Sequence, residues 1–155
     1  MSKLIHLDCS LRDGGYYNNW DFSEILINNY LKVLERVKVD YCEIGFRFAK
    51  NSGFRGPCAF TTEEFLNSLE IPEELKIAIM LNGSDVIDRN KLNYEKLKEL
   101  IPLTADKSKV KLVRVACHSE SIKEILPIFD FLSNNGYLSA CNITQISEKS
   151  EKEIS

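Results

Sequence analysis

The chain has two histidines, His6 and His118, and no C-x-x-C pair anywhere. Its five cysteines, Cys9, Cys42, Cys58, Cys117 and Cys141, are an odd number. Spacing and count therefore signal neither a disulfide framework nor a zinc cluster. Small buried hydrophobes in a reducing compartment are the expected role of these thiols. A catalytic thiolate would want a histidine partner, and histidine is scarce. No G-x-G-x-x-G follows the first apolar run, which weakens a dinucleotide-binding reading. No apolar run approaches the ~20 residues of a membrane span. The N-terminus, MSKLIHLDCS, is too polar for a signal peptide. Positive charge is not in excess either: 20 Lys and Arg stand against 23 Asp and Glu, with a net charge of -3 and a pI near 5.5. Nucleic acid and anionic membranes ask for a basic face, so neither is the expected partner. These absences together point to a cytoplasmic protein.

What remains is ordinary globular material, with 44% hydrophobic and 28% charged residues in 155. That length suits one domain with a sizeable core. Five apolar runs of strand length stand out: KLIHLDC (3–9), DYCEIGF (40–46), KIAIMLN (76–82), VKLVRVACH (110–118) and YLSACNI (137–143). Helical patterns lie between them. Segment 23–37 starts at the N-cap candidate Ser23. Thr61 and Glu64 have the spacing of a capping box. Segment 93–101 is halted by Pro102. Segment 119–135 is closed by Gly136, and Pro127 inside it is expected to kink or split it. After the first run come Gly14, Gly15 and YYNNWDFS, read as a turn and loop. The order βαβαβαβαβ implies a parallel sheet. An open doubly wound sheet and the first five strands of a (β/α)8 barrel both fit that order, and periodicity does not separate them.

In both architectures chemistry collects at the C-terminal ends of the strands. The first run delivers Arg12 and Asp13, and the second delivers Glu43, Gly45 and Arg47. The third ends at Asn82. The fourth brings Arg114 and His118, and the fifth brings Asn142 and Gln145. A purely structural sheet does not need a polar group at nearly every strand end.

The stretches DCSLRDGGYYNNWDF and YCEIGFR resemble the DRE-TIM metallolyase superfamily. That group includes hydroxymethylglutaryl-CoA lyase, homocitrate and isopropylmalate synthases, and 4-hydroxy-2-oxovalerate aldolase, and shares a pyruvate carboxyltransferase-type domain. The aldolase branch is the most similar, and VKLVRVACH and NGYLSACNITQIS are similar to its fourth and fifth strands. The resemblance spans about residues 4–147. It implies that residues 1–155 are the N-terminal, five-strand portion of a TIM (β/α)8 catalytic barrel. It implies a divalent-metal-dependent carbon–carbon lyase that cleaves a 4-hydroxy-2-oxo acid through a pyruvate-type enolate. Carried over residue by residue, Arg12 stabilises the enolate oxygen and Asp13 binds Mn2+ or Mg2+. Glu43 matches a strand-two glutamate near the metal in relatives. His118 joins the catalytic candidates, and Arg47 and Asn142 the substrate-binding ones, by position. The partner implied is a small 2-oxo acid.

Each of these residues also has a structural use. Arg12 and Asp13 would pair in a surface turn. Glu43 would pair with an arginine of the barrel interior. His118 would sit beside a helix N-cap, and Asn142 would satisfy backbone groups. The loop RFAKNSGFRGPC, with Arg47, Lys50 and Arg55, suits either an anionic substrate group or solvent. The family also completes its metal site with an H-x-H pair, which this chain lacks. The expectation is a portion of a longer protein, or a half-barrel that self-associates. The alternatives are an acyl-CoA and 2-oxo acid condensing enzyme of the same superfamily, or a catalytically inactive assembly module.

Overall fold

The computed structural model describes residues 4–49, 53–150 and 152. Five parallel strands form one curled sheet: β1 (Leu7–Asp8), β2 (Tyr41–Phe46), β3 (Lys76–Asn82), β6 (Val110–Cys117) and β7 (Leu138–Ile143). They lie side by side in chain order. A doubly wound sheet would place its first strand in the middle, whereas sequential order is the order of a barrel. The architecture is α/β, a five-strand half-barrel.

The core follows from unbroken apolar runs. Every residue of β2 is buried, and so are Ile77, Ile79, Met80 and Leu81 of β3. Helices α2 (Glu24–Arg36) and α5 (Ile122–Asn134) press Ile27, Leu31 and Leu34, and Ile125, Ile128 and Leu132, against this core. The two sheet edges differ from the centre. β1 is only two residues long, although strand was expected over 3–9; residue 3 lies outside the described residues. The His6 carbonyl still accepts from the backbone of Asp40 and Tyr41. At the other edge, β7 leaves Leu138 58% exposed.

The largest departure from expectation is α1 (Ser10–Asn18), a helix where the sequence reads as a glycine turn and loop. Two interior glycines cost about 1 kcal/mol each against alanine. Specific contacts offset that cost. Asp8 accepts from Ser10 N at 3.1 Å and from its hydroxyl at 3.0 Å, and Tyr30 O–H donates to the same carboxylate at 3.0 Å. Gly15 is required by close packing rather than by a turn. A Cβ there would stand 1.9 Å from the Trp20 ring. The indole N–H in turn donates to Arg12 O at 2.9 Å.

Smaller corrections have similar causes. The N-cap of α3 (Glu63–Ser68) is Thr62, whose hydroxyl accepts from Phe65 N, and not Thr61. Thr61 is buried at φ 38°, with its hydroxyl on Cys58 O. Pro127 neither splits nor ends α5; the buried Ile125, Ile128 and Leu132 hold both halves on the sheet. Helix α4 (Tyr94–Leu100) forms as expected, capped by Asn93. Ahead of it lies an unexpected hairpin, β4 (Ile87–Asp88) and β5 (Lys91–Leu92). Its two loop residues, Arg89 and Asn90, both have positive φ, as a type I′ turn requires, but no glycine marks it.

Candidate functional site

On one face of the sheet one carboxylate gathers two guanidiniums. Glu43 of β2 is fully buried. Its Oε2 accepts from Arg12 Nε at 2.8 Å and from Arg114 Nη1 at 3.0 Å. Arg114 extends the chain of contacts: Nη2 donates to Asn142 Oδ1 at 2.6 Å, and Nη1 lies 3.4 Å from Cys9 Sγ. Arg12 Nη1 meets Asp13 Oδ1 at 2.5 Å, and its guanidinium lies over the Phe46 ring at 5.9 Å. Thus α1, β2, β6 and β7 each contribute a side chain to one cluster.

Sheet geometry explains the convergence. Register pairs Glu43 with Ala78, which stands two residues before Met80; Met80 pairs with Arg114, and Arg114 with Ala140, two residues before Asn142. Glu43, Arg114 and Asn142 therefore share a face, and α1 delivers Arg12 to its edge. A shift in the β2–β3 register between Glu43 and Gly45 lets Gly45 approach Cys58 O, where a Cβ would stand 1.8 Å away.

The electrostatics are unbalanced in a useful direction. Two partly buried guanidiniums share one fully buried carboxylate, leaving one positive charge in excess around Glu43. Asp13 is 61% exposed, so water screens its compensation. Burial works to lower the Arg12 pKa, but the hydrogen bond and charge of Glu43, with Asp13, outweigh it and raise the value above the ordinary one. Burial foremost, then the Glu43 charge, pushes the Cys9 thiol up. Cys9 therefore stays a thiol in the neutral range and is no thiolate nucleophile. Glu43 Oε1 is buried and accepts no hydrogen bond, although a buried carboxylate oxygen ordinarily has a partner.

The structure brings Arg12, Glu43 and Asn142 together, with Asp13 on the outer side of Arg12. His118 and Arg47 stand apart. His118 lines a cavity of about 240 Å3 with Asn82, Ser84, Cys117, Glu124 and Thr144, and no residue of the ion-pair cluster lines it. Its Nδ1 lies 3.2 Å from the Thr144 hydroxyl. Arg47 is 3% exposed and committed to protein acceptors: Thr61 O at 3.0 Å, Leu100 O at 2.8 Å and Glu63 Oε1 at 2.6 Å. Its guanidinium is held by these protein acceptors, away from the Glu43 cluster, and it lines a separate cavity of about 490 Å3 with Phe48, Phe60 and Glu63. Arg55 stacks 4.4 Å over Phe48 and 5.7 Å from Trp20, and Lys50 lies outside the described residues. Sequence reasoning placed Arg114 at a strand end but gave it no role. Nothing local signals that it meets a glutamate 71 positions away.

A metal centre is not complete here. Asp13 offers one exposed carboxylate already paired with Arg12. Among the described residues no three or more His, Cys, Asp or Glu side chains come together around a metal position. The donor set present does not by itself fit Mn2+ or Mg2+, which want several oxygen ligands. Among the same residues no helix is long and apolar enough to cross a membrane.

No protein-family model matches this chain, and no curated protein matches it. A solved structure does: "the N-terminal domain of a putative aldolase from Bacteroides vulgatus" superposes with a TM-score of 0.80 at 30% identity, over 94% of this chain. The fold is aldolase-like. The present chain spans 46% of the length of that aldolase-like chain.

Proposed function

We propose that the chain is the N-terminal part of a carbon–carbon lyase that cleaves a 4-hydroxy-2-oxo acid by retro-aldol chemistry. The observation that carries this reading is the partly buried pair of guanidiniums on one oxygen of the buried Glu43. In the reaction a base removes the C4 hydroxyl proton, and the C3–C4 bond breaks to leave an aldehyde. The bonding electrons pass into the 2-oxo group as an enolate, and protonation at C3 yields a pyruvate-type product. Charge develops on the C2 oxygen, and a fixed cation aimed there lowers the barrier. Arg12 supplies that cation. Glu43 holds its Nε side and fixes its orientation, and Arg114 with Asn142 supplies a second donor set for the substrate carboxylate. The positive excess favours the anionic substrate before reaction and the enolate during it.

A divalent cation, Mn2+ or Mg2+, would belong to this proposal only if Asp13 served as one of its ligands and further oxygen donors came from outside the described residues. His118 is the candidate proton-transfer residue only if substrate reaches from the cluster into its cavity. The cytoplasm is the implied compartment. A second reading has its own observation: the incomplete donor set and the open β7 edge suit an inactive half-barrel that assembles with a second copy or with a further segment of chain.

The test is release of a pyruvate-type product from a 4-hydroxy-2-oxo acid, followed by NADH oxidation in a coupled assay with added Mn2+. Turnover that falls 10²–10³-fold in Arg12→Met, about the loss of one oxyanion donor, supports the lyase. Turnover unchanged by Arg12→Met contradicts it. No turnover, with a concentration-dependent dimer in solution, favours the assembly module.

A further inference from the structure

Two free cysteines meet on the other face of the strands that carry Arg114 and Asn142. Cys117 closes β6 and Cys141 lies within β7, and their sulfurs stand 3.8 Å apart. Register sets this diagonal: Cys141 pairs with Val115, and Cys117 pairs with Ile143. Neighbouring residues on a strand point to opposite faces, so the thiols lie on the helix side while Asn142 faces the ion-pair cluster. The two differ in access. Cys141 is exposed, and Cys117 is buried against the core.

We infer that Cys117 and Cys141 form a reversible disulfide on reaction with a hydroperoxide. In the first step the Cys141 sulfur attacks the terminal peroxide oxygen. The O–O bond breaks, the thiol proton passes to the departing oxygen as an alcohol or water, and Cys141 becomes a sulfenic acid. In the second step the Cys117 sulfur attacks the Cys141 sulfur. The S–O bond breaks, water leaves with the Cys117 proton, and the S–S bond forms. The thiols give up two electrons and the hydroperoxide takes them. A dithiol reductant reverses the bridge by exchange.

The geometry gives the resolving thiol its advantage. Burial, and then the neighbouring Cys141, push the Cys117 thiol up to about 11, so Cys117 does not itself react with the oxidant. It becomes a resolving group because it stands next to the oxidised sulfur. Forming the S–S bond needs the two sulfurs to approach from 3.8 Å to bonding distance, and because the residues stand diagonally in the register it draws the ends of β6 and β7 together. The bridge closes β7, the exposed edge strand, onto β6. It fastens the strand that presents Asn142 to the strand that presents Arg114. It also tethers Cys117, which with His118 lines the cavity at the end of β6.

The experiment treats the whole chain with a slight excess of hydrogen peroxide, followed by thiol titration, intact mass and peptide mapping under non-reducing conditions. Two of the five thiols disappear, the mass falls by two hydrogen atoms, and the bridged peptides are those of Cys117 and Cys141. Dithiothreitol restores all five. Amide exchange across Leu138–Ile143 slows in the oxidised form. Cys117→Ser stops at the Cys141 sulfenic acid, trapped by dimedone, and Cys141→Ser takes up no oxidant on the same timescale. A Cys141–Cys141 link between two chains, a bridge between Cys42 and Cys58, or progression of wild-type Cys141 to sulfinic acid overturns the inference.

Discussion

Two arginine–glutamate clusters, each with one fully or nearly fully buried member, stand against the same sheet, and they are built differently. Around Arg47 every group finds a protein partner. Its guanidinium reaches Thr61 O, Leu100 O and Glu63, and the Ser108 hydroxyl meets both Glu63 oxygens at 2.9 and 3.1 Å. Around Glu43 the arrangement is open: two guanidiniums crowd Oε2 while Oε1 has none. A closed network secures loops to the sheet. An open one, with surplus positive charge and an unused acceptor, costs stability, and under the proposed function that cost is offset by what it can bind. A buried ion pair alone therefore does not mark a site; incomplete satisfaction does.

The largest expected effect falls on the closed network. Glu63→Ala leaves Arg47 buried without its counter-charge and should cost about 3–5 kcal/mol in urea unfolding. If the cost is below about 1 kcal/mol, the Arg47 network is not structural in the sense argued. Next comes the packing that seats α1. Gly15→Ala puts a Cβ into the Trp20 ring, so a loss of about 1–3 kcal/mol and a changed Trp20 fluorescence are expected. Arg12→Met should cost no more than about 1 kcal/mol of stability, because Arg114 still compensates Glu43 and the Asp13 pair is exposed. Its functional cost should be far larger than its structural one, the reverse of Glu63→Ala. The smallest effect is a pH shift. Cys9 is raised above 9.0 by burial and by Glu43, so labelling by iodoacetamide should set in only above that pH. The sign also works through stability: this contribution is present below pH 9.0 and lost as pH rises toward the folded value. Glu43→Gln removes one raising cause, and labelling should then begin at lower pH.

The sequence already contained much of the sheet. β3 falls on 76–82 as expected, and β2 and β7 begin within one residue of expectation, because uninterrupted apolar runs admit little else. The helix α1 was not legible. Gly14-Gly15 argues for a turn by propensity, and the opposing contacts of Asp8, Tyr30 and Trp20 depend on the fold. The site was legible by residue type but not by pairing. Arg12, Glu43 and Asn142 could be named from strand ends and from resemblance. That Arg114 joins them while Arg47 turns to Glu63 depends on register and on the β2 irregularity, which no local pattern announces. Thr61 and Thr62 show the same limit at a finer scale, since only the tertiary bonds of Thr61 decide which threonine caps α3.

The central claim is that the Glu43 cluster receives an anion and the Arg47 network does not. Side-chain Nε–H resonances of arginine, assigned through Arg12→Lys, Arg114→Lys and Arg47→Lys, can be followed while oxalate, a planar mimic of the pyruvate enolate, is titrated into the whole chain. The account predicts saturable shifts of the Arg12 and Arg114 signals with the Arg47 signal unmoved. Unmoved Arg12 and Arg114 signals, or an Arg47 signal that shifts along with them, would contradict it.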